Sequence, residues 1–165
     1  MVICISGAKD IGKFNLAKDL QQHFYFRTPV GITPVHISHY SGFKPPTAYN
    51  KTISKIHYKD GFEIIKGNNL NDRIMIYSGF HIDEYVYGSK IRGYNTDFIF
   101  DLEKEFKQYL NQTFYILLTS NKSEDNKLFK DAFAKSIMPH KRYINTDKLT
   151  REEITQKAIA FMKEL

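Results

Sequence analysis

The sequence predicts an α/β domain built on a parallel sheet, and three features carry that prediction. Short apolar runs rich in β-branched residues recur along the chain. Each is followed by a segment whose apolar residues repeat with helical spacing. A turn with two glycines joins the first run to the first periodic segment. Strands that alternate with helices ordinarily lie parallel, with helices packed on both faces of the sheet. No internal repeat, linker or low-complexity tract breaks the alternation, so residues 1–165 read as one domain.

The elements follow in order. Val2 to Ser6 (VICIS) is a buried strand ended by Gly7. Leu16, Ala17, Leu20 and Phe24 place a helix from Lys13 to about Phe24. Thr33 to Ser38 (TPVHIS) is the second strand. A loop with Gly42, Pro45 and Pro46 leads into a helix over about Tyr49 to Ile65, with Gly61 the place where it would break. Arg73 to Tyr77 (RIMIY) is the third strand, followed by a short helix and loop in SGFHIDEYVYGSKIRGY. Phe98, Leu102, Phe106 and Leu110 mark the next helix. Thr113 to Leu118 is the fourth strand, SNKSEDN a polar loop, and about Lys127 to Ser136 a short helix. Arg142 to Asn145 is a fifth strand. Thr150, with Glu153 three positions on, forms a capping box that opens the last helix.

Composition limits the partners. Hydrophobic residues make up 42% and charged residues 25%, the balance of a soluble globular protein. No apolar run approaches the ~18 residues of a membrane span, so no membrane partner is expected. The opening MVICIS precedes Lys9 and Asp10, the reverse of a secretory signal. A single cysteine, Cys4, excludes an internal disulfide; in a buried strand its thiol is expected to be inert, and a cytoplasmic location is expected. The net charge of +6 favours anionic partners: nucleotides, nucleic acid or acidic lipid head groups. The basic residues are spread out, His140-Lys141-Arg142 being the densest group.

The glycine turn reads GAKDIGKF: Gly7, Ala8, Lys9, Asp10, Ile11, Gly12, Lys13 and Phe14. The spacing is that of a phosphate-binding loop, G-x-x-x-x-G-K-[S/T], up to its last place. Backbone N–H groups and the positive helix N-terminus bind phosphate in such a loop, and Lys13 would reach the β- and γ-phosphates. Phe14 stands where the motif has a magnesium-binding hydroxyl. The plainer reading is a strand-to-helix turn that needs two glycines; the strand-loop-helix context favours the phosphate loop. A second stretch follows the third strand, where ligands of open α/β sheets sit. It concentrates His81, Asp83, Glu84, Tyr85, Tyr87, Lys90, Arg92 and Tyr94. Tyrosines can stack on a base and an arginine can hold phosphate; an amphipathic helix with buried tyrosines and solvated charges would read the same. The six histidines and Cys4 show no metal-ligand spacing, and no metal ligands are assigned.

GAKDIGK, DEYVYGSKIRGY and the stretch from Ala132 to Asn145 (AFAKSIMPHKRYIN) together resemble the thymidylate-kinase-like nucleotide kinases, above all the short phage deoxynucleoside and deoxynucleoside-monophosphate kinases. The resemblance spans almost the whole chain, with Glu84 to Gly93 its most specific part. It implies a five-stranded parallel sheet flanked by helices, and transfer of the ATP γ-phosphate to a nucleotide or nucleoside with Mg2+. It implies that Gly7 to Lys13 hold the ATP phosphates, that Lys13 is catalytic, and that Tyr85, Tyr87 and Arg92 lie near the acceptor. Departures accompany it. The family's strand-end Asp-Arg or Glu-Arg falls on Ser78 and Gly79, its loop aspartate on Lys9, and its arginine-bearing lid on the short Ser120 to Asn126. Such losses act on charge neutralisation, on which phosphoryl transfer depends. Two functions stay open: an ATP-dependent kinase of weakened activity, or a kinase fold kept for binding nucleotide, DNA or a protein. A homodimer is open under either.

Overall fold

Successive residues of a strand point to opposite faces of a sheet, and this alternation organises the whole protein. A computed structural model describes residues 1–27, 35–39, 50–68 and 73–164. Its five strands are β1 (Val2–Ser6), β2 (Val35–His39), β3 (Ile74–Ser78), β4 (Thr113–Thr119) and β5 (His140–Asn145). They form one parallel sheet in the order β2-β3-β1-β4-β5. The α-helices among the described residues are α1 (Lys13–Arg27), α2 (Lys51–Asn68), α3 (His81–Arg92), α4 (Phe98–Glu105), α5 (Asn126–Lys135) and α6 (Arg151–Lys163). The expected α/β class, parallel sheet and five strands are all observed.

On one face Ile3 and Ile5 of β1, Ile76 of β3 and Ile116 and Leu118 of β4 pack with Leu16, Ala17 and Leu20 of α1 and Ala158, Ile159 and Phe161 of α6. On the other face Val2, Cys4, Tyr77, Tyr115 and Leu117 meet the aromatic-rich faces of α2, α3, α4 and α5. β1 and β4 are buried along their whole length, as the central strands of a doubly covered sheet must be. Cys4 lies in this core. Burial first, then the nearby Glu103 and Asp83, push its thiol well above the ordinary cysteine range, so it stays protonated.

Several boundaries differ from the sequence reading. α2 runs unbroken through Gly61, which is buried with its carbonyl 3.5 Å from the Tyr77 hydroxyl. Tertiary packing there outweighs the intrinsic cost of a helical glycine, roughly 1 kcal/mol. Phe106 ends α4 and a 3-10 turn over Lys107–Tyr109 follows, although Phe106 and Leu110 stay in the core. β5 begins two residues earlier than expected, at His140. Thr33, the Gly42–Pro46 loop and Tyr49 lie outside the described residues. The α6 capping box forms as read: the Thr150 hydroxyl accepts from the Glu153 amide at 3.2 Å, and the Thr150 amide donates to the Glu153 carboxylate at 2.7 Å. No helix among the described residues is long and apolar enough to cross a membrane.

One buried polar network ties α3 and α4 to the chain entering β5. Glu103, fully buried, bonds to His81, accepts from the Ser136 hydroxyl at 2.6 Å and from the Ile137 amide at 2.8 Å. Burial alone would raise its pKa; His81 and the bonds from Ser136 and Ile137 outweigh burial and hold it below the ordinary glutamate value. A depressed carboxylate pKa contributes stability that is full above the unfolded-state value and is lost as pH falls through the folded one. The wild type should therefore lose melting temperature as pH drops below about 4.5, through the lowered Glu103 value. Glu103→Gln should be less stable at pH 7 by about 1–3 kcal/mol, and its melting temperature should fall less steeply with pH. Parallel pH slopes for the two proteins would refute this account.

Candidate phosphate-binding site

β1 leaves the sheet at Gly7, between β3 and β4, and six residues, Gly7 to Gly12, carry the chain to the start of α1. The loop that does this has three residues at positive φ: Gly7 at 147°, Asp10 at 60° and Gly12 at 95°. At Gly7 a side chain has no room, since a Cβ would stand 2.6 Å from the Leu118 carbonyl oxygen. Gly12 has open space around it, so its glycine answers to backbone conformation alone. Left-handed residues turn successive N–H groups toward one side, the geometry that cradles anions. Among the described residues, the amides of Asp10, Ile11 and Gly12 donate to no protein group.

Lys13, the first residue of α1, curls back over this loop. Its ammonium donates to the Gly7 carbonyl, to the Ala8 carbonyl at 3.0 Å, and pairs with Asp83 Oδ1 at 3.0 Å. The Asp83 side chain is 2% exposed, and its other oxygen accepts from the Phe80 amide at 3.4 Å. Phe14 is 40% exposed, with the Lys18 ammonium 4.4 Å from its ring centroid. Its ring belongs to the outer surface of α1.

The residues singled out on α3 separate by helical phase. Asp83 and Tyr87, four apart, face the glycine loop; the Tyr87 hydroxyl accepts from the Lys9 amide at 2.7 Å. Burial, and after it the Asp83 charge, raises the Tyr87 phenol above its ordinary pKa, so it remains a neutral hydroxyl. Glu84, Gly88 and Arg92 share a second face. Arg92 pairs with Glu84, and Nε donates to the Tyr94 hydroxyl at 2.9 Å. Glu84 also accepts from Ser54 of α2 at 2.6 Å and from Tyr94. Gly88 makes room for this cluster, because a Cβ there would sit 2.8 Å from Glu84 Oε1. Tyr85, seven positions before Arg92 and so close to it in helical phase, has its ring against Phe100 and its hydroxyl 3.1 Å from the Lys135 ammonium. Tyr87 therefore turns to the glycine loop, whereas Tyr85 and Arg92 turn away from it and contact different neighbours.

A cleft of about 390 Å³ opens beside the loop, lined by Ala8, Lys9, Asp10 and Ile11 and, across from them, Ser120, Lys122, Ser123 and Thr146. It sits at the C-terminal ends of β1, β4 and β5, the place where open α/β sheets bind ligands. Asp147 fixes its far wall, accepting from Ser120 Oγ at 2.5 Å and from the Asn121 amide at 2.9 Å. These two bonds, Ser120 foremost, hold the Asp147 carboxyl below its usual range. The sequence reading placed the short lid over Ser120 to Asn126 but gave no ligand role to the hydroxyls of Ser120, Ser123 or Thr146, which carry no motif. Asp83 was readable only through its spacing from Tyr87. At the end of β3, Ser78 is buried, and Gly79 has φ 77°. Among the described residues no group of three or more His, Cys, Asp or Glu could hold a metal ion.

No family model matches the sequence, and no curated protein matches it significantly. Solved structures match in fold. The thymidylate kinase of Ehrlichia chaffeensis superposes with a TM-score of 0.71 at 15% identity, over 99% of this chain and 98% of that one. The YorR protein of Bacillus subtilis, solved in complex with phosphorylated GDP, gives 0.65 at 14% identity, over 99% and 96%. The chain has a thymidylate-kinase-like fold. The likeness covers nearly the whole of each chain.

The Arg92–Glu84 pair on α3 is buried, with side chains 1% and 0% exposed. Removing one partner of such a pair strands the other charge, which costs about 3–5 kcal/mol. Arg92→Ala should lower unfolding stability by that amount in urea titration. A loss under 1 kcal/mol would show that the pair is solvated.

Proposed function

We propose that the chain is a nucleotide-kinase-like protein whose glycine loop, Gly7 to Phe14, holds nucleotide phosphates through its backbone. The observation that carries this reading is the loop itself: the amides of Asp10, Ile11 and Gly12, which among the described residues donate to no protein group, beside the Lys13 ammonium at the start of a helix. The net charge of +6 and the fold shared with a thymidylate kinase support it. The cleft across from the loop has the volume of a small-ligand site. On this reading ATP is the donor, and a deoxynucleoside or deoxynucleoside monophosphate the acceptor. Tyr87 acts from behind the loop by fixing Lys9, and Arg92 by fixing Glu84.

The residues present fit phosphate better than they fit magnesium. The usual hydroxyl is Phe14, the strand end carries Ser78, and the carboxylate that reaches the loop, Asp83, is paired with Lys13. No step is assigned to the metal. Without those groups transfer is slow, because its catalysis is positioning and charge neutralisation. A second reading, a fold kept for binding nucleotide, DNA or a protein, draws on the same departures and differs only in the rate being zero.

Two experiments test this. Lys13→Ala should abolish the thermal stabilisation that ATP gives the wild type, which reaches about 2.7 kcal/mol at a hundredfold excess over Kd. A wild type that shows no shift in millimolar nucleotide would refute phosphate binding. For transfer, the wild-type rate should fall well below the roughly 1–100 per second typical of kinases, and Phe14→Thr with Ser78→Asp should raise it. Gly79 is best left alone, since its φ of 77° would strain an arginine. No transfer in either protein selects the binding reading.

A further inference from the structure

An ammonium group has three N–H donors and no acceptor, and Lys13 is already engaged inside the protein. It donates to the Gly7 and Ala8 carbonyls and forms an ion pair with Asp83 at 3.0 Å. A bound phosphate must therefore compete with these partners for the ammonium. The two carbonyls are part of the loop that would cradle the ligand, whereas Asp83 comes from α3 and carries the like charge of the phosphate.

From this geometry we infer that Asp83 is an intramolecular competitor for phosphate, a latch that keeps Lys13 turned back over its own loop. The inference rests on the proposed phosphate reading of that loop. Asp83 is suited to the part because it is held in place. Its side chain is almost wholly buried, the Phe80 amide bonds its second oxygen, and α3 is anchored on both sides of it by His81–Glu103 and Glu84–Arg92. It cannot swing into water when phosphate arrives, so phosphate and Asp83 meet across the same ammonium. Two anions on one lysine repel, and binding proceeds only from the fraction of molecules in which the pair is open. Apparent affinity falls by that fraction. Asp83 thus sets the affinity of the loop for any polyphosphate, whatever base the ligand carries.

The test uses inorganic tripolyphosphate in metal-free buffer, so that neither a base nor a cation contributes. Calorimetry on the wild type, Asp83→Asn and Asp83→Ser, each checked by thermal melting, reads the latch. Both variants keep a side chain that can bond the Phe80 amide, and the second guards against a misfolded first. Asp83→Asn should bind at least tenfold more tightly than wild type, and adding Lys13→Met to it should remove the gain. If the variants bind as weakly as wild type or more weakly while wild-type binding is measurable, Asp83 merely positions the lysine and the latch is refuted. The phosphate reading then stands. Absence of binding in the wild type and in both folded variants overturns the two together.

Discussion

At Gly7 the first strand stops being part of the sheet and becomes the floor of a site, and the rest of the molecule depends on that point. β1 is the central strand, with β3 on one side and β4 on the other. To leave between them the chain passes so close to the Leu118 carbonyl of β4 that a Cβ would overlap it at 2.6 Å. An alanine there would have to push β4 aside, and with it Ser120 and the far wall of the cleft. The same exit fixes where α1 begins, hence where Lys13 lies. It also leaves Ala8 buried under the loop, with Tyr87 holding the Lys9 amide from α3. One missing methyl group therefore positions the strand end, the loop and the lysine together.

α3 takes its order from charge satisfaction. It buries Asp83, Glu84, His81 and the Arg92 side chain, groups that cost several kcal/mol each when unpaired in a protein interior. Three of them have partners on different neighbours, Asp83 on the glycine loop, Glu84 on α2 and His81 on α4, and Arg92 pairs with Glu84 within the helix. The helix cannot rotate or slide without unpairing one of them. Such a network specifies position more than it adds stability, because the same volume filled by apolar residues would avoid the desolvation cost. A rigid α3 is what makes the Asp83–Lys13 contact a fixed feature of the loop.

The fold was legible because its signals are periodic and local. β-branched runs, helical spacing and the Thr150–Glu153 cap each act over a few residues, and the structure follows them with small shifts at the ends. Gly61 was misread because helix propensity is local while its burial against Tyr77 is not. The glycine loop was legible as a spacing, yet its occupation by Asp83 was not, since that carboxylate arrives from a residue seventy positions away. The tyrosine segment shows the limit most clearly. Reading it as a cluster put Tyr85, Tyr87 and Arg92 on one ligand, whereas a period of 3.6 already separates Tyr85 from Tyr87 by about 200°. Applying the period within the motif would have sorted Asp83 with Tyr87, and turned Tyr85 and Arg92, seven positions apart, away from both.

On the proposed reading, the departures that the resemblance implies are linked by geometry. After Ser78 the chain turns at Gly79, whose amide bonds the Ile5 carbonyl at 2.8 Å and whose φ is 77°. A residue with a side chain is disfavoured in that conformation, so the turn itself keeps an arginine from this place. The turn delivers the chain directly into α3, whose first turn carries Asp83 to Lys13. The carboxylate missing from the strand end is thus met a few positions later by one that faces the same lysine, but as its ion-pair partner. On the proposed reading, Phe14 follows from the same exchange. Where Asp83 already neutralises Lys13, a hydroxyl at position 14 has no cation to serve until the pair opens.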